Sequence, residues 1–280
     1  LKAILLIFIL TASFSTQAKD KKFYQEPKKQ NAIIKIEKNE EASLLRPSLP
    51  ESIDVLIWNI YKGKNDSLAE EIKELSLKSD LVLLQETHLN KKVLNILETA
   101  PQSFYMGVSF KMRGTPTGVS TGSTVVPSSV DYKRSKRELG FTTPKISLIT
   151  KYKLSNRADE LLVINIHGIN FVTLPSFRAQ INALLEVIND HNGPVLFAGD
   201  FNTWSKSKYQ FLQSTLTNSG LTEASFLEDH RLRAPFISRF EKYNNPLDNV
   251  FVRGISIREA LVLENYKGSD HHPIKVKLDF

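Results

Sequence analysis

The sequence predicts an α+β fold in which two packed mixed β-sheets are flanked by helices. Three observations carry that prediction. Short polar clusters punctuate strongly apolar runs: VLIWN ending at Asn59, LVLLQE at Glu86, LLVINIH at His167, VLFAGDFN at Asn202, and GSDHH near the C-terminus. From Ser52 onward, strand-like and helix-like segments alternate. Finally, three strand-like segments at roughly 247–252, 255–263 and 274–279 follow one another without helices. That spacing suits antiparallel pairing, because a parallel connection needs a long crossover.

The elements follow in order. IDVLIW reads as a buried strand. Asp66 or Ser67 can cap a helix whose apolar positions, Leu68, Ile72 and Leu75, recur at spacings of four and three. LVLLQ is a second strand, and Asn90 caps a short helix bearing Val93, Leu94 and Leu97. Residues 113–145, rich in Gly, Thr, Ser, Pro and basic side chains, read as strands with long loops at a functional site. After a strand at 161–166, Pro175 fits the first turn of a helix holding Phe177, Ile181, Leu184, Leu185 and Ile188. A strand at 195–198 precedes the C-terminal three.

Composition bounds the rest. The chain has 280 residues, 41% of them hydrophobic, enough for a substantial core. It has no cysteine, which excludes disulfides, thiolate nucleophiles and cysteine–zinc sites. The net charge of +7 is partly a property of the N-terminal segment. Residues 19–50 carry eight basic against five acidic residues, leaving 28 against 25 from Glu51 onward. A strongly basic, polyanion-binding surface is therefore not implied. Lys2, the apolar run Ala3–Leu10 and the small residues of Thr16-Gln17-Ala18 predict a signal peptide over residues 1–18, and hence a periplasmic or secreted protein. An uncleaved membrane anchor is the alternative. Residues 19–51 read as a flexible linker, although NAIIKIE alternates enough for a short edge strand.

Strand ends in layered folds can gather polar side chains from distant parts of a chain into one pocket. Glu86 taken alone is an ordinary surface carboxylate. In GPVLFAGDFNTW, Gly199 allows close backbone approach, and in extended chain Asp200 and Asn202 face the same side. A carboxylate there can deprotonate water and an amide can donate to a phosphate oxygen, while a plain Asp–Asn turn is the competing interpretation. Asp248, at the start of a strand, is placed to accept a hydrogen bond from an imidazole and fix its tautomer.

Taken together, WNIYKG, LVLLQET, NIHGINF, GDFNTW, LDNVFVRG and SDHHP, in that order, resemble the endonuclease/exonuclease/phosphatase (DNase I-like) superfamily. The fuller strings are similar to its bacterial YafD-like branch, and the resemblance covers residues 52–280. It implies a four-layer α/β/β/α sandwich and a metal-dependent phosphoesterase. Glu86, Asn59 and Asp270 match the family's metal site, with Mg²⁺ expected and Mn²⁺ an alternative. Asp200 matches the residue that positions the attacking water, Asn202 a transition-state donor, and His271 the essential histidine oriented by Asp248. His167 matches a phosphate-contacting histidine, with Asn170 a weaker candidate.

The expected activity is phosphodiester hydrolysis, most simply by a secreted or periplasmic nuclease. A phosphatase or phospholipase C-type enzyme acting on phosphoinositide, sphingomyelin or small phosphoesters is the main alternative, and a non-catalytic binding protein the third. The expected partner is a phosphoester substrate, DNA or RNA among the candidates. No stable protein partner is expected, peripheral membrane contact stays open, and the chain is read as a monomer.

Overall fold

The computed structural model describes residues 24–36, 45–138, 143–170, 172–233 and 244–280. The predicted signal peptide lies outside them. The chain runs through β1 (Tyr24–Gln25), β2 (Ile33–Ile36), β3 (Ser52–Asn59), α1 (Leu68–Leu77), β4 (Leu81–His88) and α2 (Lys91–Thr99). It continues through β5 (Ser103–Met112), β6 (Thr115–Ser123), β7 (Ser129–Arg134), β8 (Ile146–Lys153), β9 (Glu160–His167) and α3 (Leu174–Asn189). It closes with β10 (Val195–Asp200), α4 (Lys206–Asn218), β11 (Thr222–Glu223), β12 (Asp248–Arg253), β13 (Ser256–Val262) and β14 (Ile274–Asp279).

These strands form two mixed sheets. One has the order β1-β5-β6-β4-β3-β14-β13, with β2 also pairing with β5, and the other has the order β11-β12-β10-β9-β8-β7. Each sheet holds one parallel pair at its centre, β3 with β4 and β9 with β10, and every other named pairing is antiparallel.

Side chains alternate between faces of a strand, and here both faces are covered, so the runs are apolar throughout. Ile53, Val55, Ile57, Leu81 and Leu83 pack across the middle of the molecule against Leu161, Val163, Leu196, Ala198, Val250 and Val252. The intervening residues Leu56, Trp58, Val82 and Leu84 face α1 and α2, meeting Leu68, Ile72, Val93 and Leu97. Leu162, Ile164, Val195 and Phe197 likewise meet Phe177, Ile181 and Ile188 of α3 and Leu212 and Leu216 of α4. The result is helices, sheet, sheet, helices. Among the described residues, no helix is long and apolar enough to cross a membrane.

Two local expectations need correction. Ser67 stands before α1, but its side chain makes no capping bond; Asn90 does cap α2, accepting from Val93 N at 2.9 Å. The linker expected over 19–51 holds structured segments: β1 and β2 pair with β5, and Arg46 and Leu49 bridge to Val125 and Leu154. Ile36 and Leu49 are buried, and that apolar contact outweighs the polar composition around them. The strands β5 and β8 and the helix α4 complete the domain without having been foreseen.

Candidate functional site

The alternation that builds the inter-sheet core also delivers the polar residues. On β3, Ile53, Val55 and Ile57 face the opposite sheet, and Asn59 continues that series. On β9, Leu161 and Val163 are followed by Asn165 and His167; on β10, Leu196 and Ala198 are followed by Asp200. On β12, Val250 and Val252 share a face with Asp248. Asn59 and His167 thus end the two parallel strands that neighbour those bearing Glu86 and Asp200. All four lie toward the carboxyl ends of parallel strands, where α/β sheets collect ligands.

Glu86 is the exception to the alternation. The β4–β6 register shifts between Leu84 and Thr87, and Glu86 adopts φ +53°. A bulge re-aims the side chain, so Glu86 meets Lys62 as an ion pair and lies 3.9 Å from His167 Nε2. Burial works against its charge, but the His167 ring and the ammonium groups of Lys62 and Lys145 outweigh that and hold the carboxyl down at about 2. Its neighbour Gln85 points between the sheets instead and donates to Asn165 Oδ1 at 2.8 Å.

Asp200 is the hub. Its Oδ2 accepts from Asn59 Nδ2 at 3.0 Å and lies 3.7 Å from His167 Nε2, while Oδ1 accepts from Asn202 N at 2.8 Å. Burial and the nearby Asp248 carboxylate raise its proton affinity to about 7. Contrary to the extended segment that the sequence predicts for Asp200 and Asn202, Asn202 turns back at φ +53° and donates its side-chain amide to Gly168 O at 2.9 Å. The aspartate's own carboxylate forms that turn. Gly199 is required just before it, since φ is +135° and a Cβ would lie 2.2 Å from Ile166 O.

His167 is buried and its Nε2 lies 3.1 Å from Lys145 Nζ. An ammonium has no lone pair, so Nε2 accepts and the ring proton sits on Nδ1. Burial, and then Lys145, push its pKa well below the ordinary histidine value. His271 is the opposite case. Burial alone would discharge it, but Asp248 Oδ2, 2.7 Å from Nδ1, holds it as an imidazolium up to about 10. Trp58 Nε1 fixes the His271 carbonyl at 2.8 Å, and Arg231 fixes the Asp248 carbonyl at 3.1 Å. Asn170 stands aside, accepting from Trp204 Nε1 at 2.9 Å.

The structure therefore brings Asn59, Glu86, His167, Asp200, Asn202, Asp248 and His271 into one connected cluster. Asp270 is exposed beside it and accepts from Ser269 Oγ at 3.2 Å; Ser269 in turn donates to the Asn59 carbonyl at 2.6 Å. Lys62, Lys145 and Arg231 escaped the sequence reading, since nothing in a loop lysine's local pattern reports its distant partner. Asp200, Asp248 and His271 offer atoms within 4.8 Å of one another and form a group able to hold an ion. However, Asp248 and His271 are spent on each other. Glu86 is the more accessible carboxylate: it is ionised, partly open and already paired with a cation, the Lys62 ammonium.

With this geometry in view, the comparisons with known proteins are informative. The sequence profile of the Endonuclease/Exonuclease/phosphatase family matches residues 56–271. The UPF0294 protein of Vibrio campbellii is 35% identical over 225 residues, covering 80% of this chain and 76% of that protein. The endonuclease/exonuclease/phosphatase family protein of Bacteroides thetaiotaomicron superposes with a TM-score of 0.61 at 17% identity, covering 83% of this chain and 99% of that one. The human Nocturnin catalytic domain, solved with a bound sulfate anion, gives 0.58 at 16% identity over 83% of this chain and 95% of its own. Such structural likenesses establish the shared fold. The profile reaches from Leu56 on β3 to His271 in the last loop, and on that match the chain belongs to the endonuclease/exonuclease/phosphatase family of phosphoester hydrolases.

Proposed function

We propose that the chain is a divalent-metal-dependent phosphodiester hydrolase, most simply an exported nuclease. The carrying observation is the division of labour within one buried cluster. Asp200 binds protons with an affinity near neutrality, while His271 is locked as a cation within the same group. Paired groups driven to opposite protonation behaviour are the mark of acid–base work. Export rests on residues 1–18 alone.

In this reading the oxygen of a water attacks phosphorus in line with the departing ester oxygen, and Asp200 takes the water's proton as the bond forms. Asn59 and the Asn202 backbone N–H hold the carboxylate for that transfer. Charge building on the non-bridging oxygens is met by His271 through its free Nε2–H and by the Lys145 ammonium. Asp248 keeps the His271 proton on Nδ1. Family members generally use divalent metal ions. Glu86, Asn59 and Asp270 would hold one here, Mg²⁺ first and Mn²⁺ second, and it would neutralise charge on the phosphate and the leaving oxygen.

The test is an assay of the purified chain on plasmid DNA, RNA, bis(p-nitrophenyl) phosphate, inositol phosphates and sphingomyelin with Mg²⁺, Mn²⁺ or EDTA. Turnover that needs metal and is lost in Asp200→Asn and His271→Ala is expected. Turnover indifferent to EDTA would contradict the metal role. Exclusive action on sphingomyelin or inositol phosphates would replace the nuclease with a lipid-directed enzyme.

A further inference from the structure

The N-terminal strand builds a wall of the candidate active site. Tyr24 pairs with Met112 and Gln25 with Lys111 at the end of β5, and the Tyr24 ring meets Phe110 edge-on with centroids 5.4 Å apart. The next residue, Glu26, accepts from Arg137 Nε at 2.6 Å, which ties this strand to the segment leading toward Lys145. Between them lies a cavity of about 180 Å³. It is lined by Glu86, His167, Lys62 and Lys145, all from the site described above, and by the apolar side chains of Tyr24, Phe110, Met112 and Ile146.

The size decides what can enter. A cavity of about 150 Å³ admits one benzene-sized ring, so this one takes a single ring and not a base pair. Its lining combines two kinds of surface. Two aromatic rings and a methionine sulfur offer the faces and edges on which nucleobases stack. Lys62 and Lys145 line the same cavity and offer two ammonium groups to the phosphate that a nucleotide carries on its sugar. An inositol ring would bring hydroxyls to an aromatic wall that cannot bond them all.

We propose that Tyr24, Phe110 and Met112 form a subsite for one unpaired nucleobase adjoining the phosphate bound at Lys62 and Lys145. The chain then acts on single-stranded or frayed ends in preference to intact duplex. This preference rests on the phosphodiesterase reading; the subsite itself does not.

Calorimetric titration of the full chain in EDTA tests it, with uridine 5′-monophosphate, whose base is a single ring, ribose 5-phosphate and octyl phosphate as probes. Uridine 5′-monophosphate is expected to bind roughly 5- to 150-fold more tightly than ribose 5-phosphate, the ratio that stacking of one base produces. Tyr24→Ala and Phe110→Ala should bring that ratio toward one, while Lys145→Ala weakens both sugar phosphates together. Phe110 is buried and its variant can misfold, but Tyr24 is 44% exposed, so that variant alone can decide. Equal affinity of the two sugar phosphates for the wild-type chain overturns the proposal, and so does tighter binding of octyl phosphate, which assigns the cavity to an acyl chain. Hydrolysis of phosphodiesters with no base preference in binding sinks the subsite and leaves the activity standing. Base-dependent binding without hydrolysis of any phosphodiester does the reverse.

Discussion

The two flanks of the site hold charge in opposite ways. On one flank, Asp248 and His271 are both buried and each is the other's partner at 2.7 Å. On the other, the Glu86 side chain is 19% exposed and shares its charge between Lys62 and Lys145. A sealed pair fixes one geometry and one protonation state. A distributed set can exchange one cation for another without rebuilding the fold. The first suits orientation, the second suits binding and release.

The largest way to break this contrast lies at the residue between the flanks. Asp200→Asn keeps the shape and removes the base, so kcat on any diester it cleaves should fall by about 10²–10⁴. Its melting temperature should hold or rise, because a carboxyl whose charge is disfavoured by burial has been made neutral. A variant that loses activity together with cooperative melting would instead make Asp200 a structural residue.

Asp248→Asn comes next, with a loss of about 10²-fold in kcat expected as the imidazolium loses its counter-ion. The sign of the pH effect is fixed. The folded-state value of His271 is raised above the ordinary histidine value of about 6.5, so the pair's stabilisation is complete below that pH and fades as pH climbs to about 10. Asp248→Asn should flatten that decline in a denaturation series. NMR should show its His271 titrating well below 10, and an unchanged titration would refute the pairing argument.

A charge outside both flanks sharpens the contrast. Lys208 on α4 is buried over the Trp204 and Phe177 rings, its Nζ has no hydrogen-bond partner among the described residues, and burial lowers its pKa to about 8. The unfolded chain keeps its proton to about 10.4, so stability should rise with pH across that window. Lys208→Met should therefore add about 1–3 kcal/mol at pH 7, dwindling toward pH 10. Calorimetric melting at the two pH values checks it.

The smallest effect belongs to the open flank. Lys62→Met removes the ammonium that competes for Glu86, and Mn²⁺ followed by electron paramagnetic resonance should bind roughly two- to five-fold more tightly, the scale of a partly exposed ion pair. Weaker binding would mean that Lys62 shapes the seat and does not contend for it.

Much of this was legible because a period of two needs only counting. Ile53, Val55 and Ile57 point at Asn59; Leu196 and Ala198 point at Asp200. Glu86 has the wrong parity for its place, and only the bulge between Leu84 and Thr87 corrects it. Such a bulge is a pairing property of β4 with β6, invisible in LVLLQET alone. β5 could have been found, since Phe104, Met106, Val108 and Phe110 alternate, yet Ser and Gly between them masked the run. α4 buries only Lys208, Leu212 and Leu216, too thin a stripe to stand out. In residues 24–36 the alternation of NAIIKIE is legible as a short edge strand and forms β2, whose partner lies about seventy residues away, while the two-residue β1 leaves no period to count.

The meeting of the two central parallel pairs has a consequence for how loss of activity should be interpreted. Asn59 and Glu86 arrive on one sheet, His167 and Asp200 on the other, and their spacing is set by the apolar layer together with hydrogen bonds between the sheets, Gln85 and Leu84 with Asn165 and Asn59 with Asp200. A chain with both sheets formed but poorly docked would keep its far-ultraviolet spectrum and have no site at all. Turnover is then a stricter gauge of sheet-to-sheet seating than any measure of secondary structure. Conservative changes deep in that layer, Val163→Ala or Val250→Ala, become kinetic lesions at a distance.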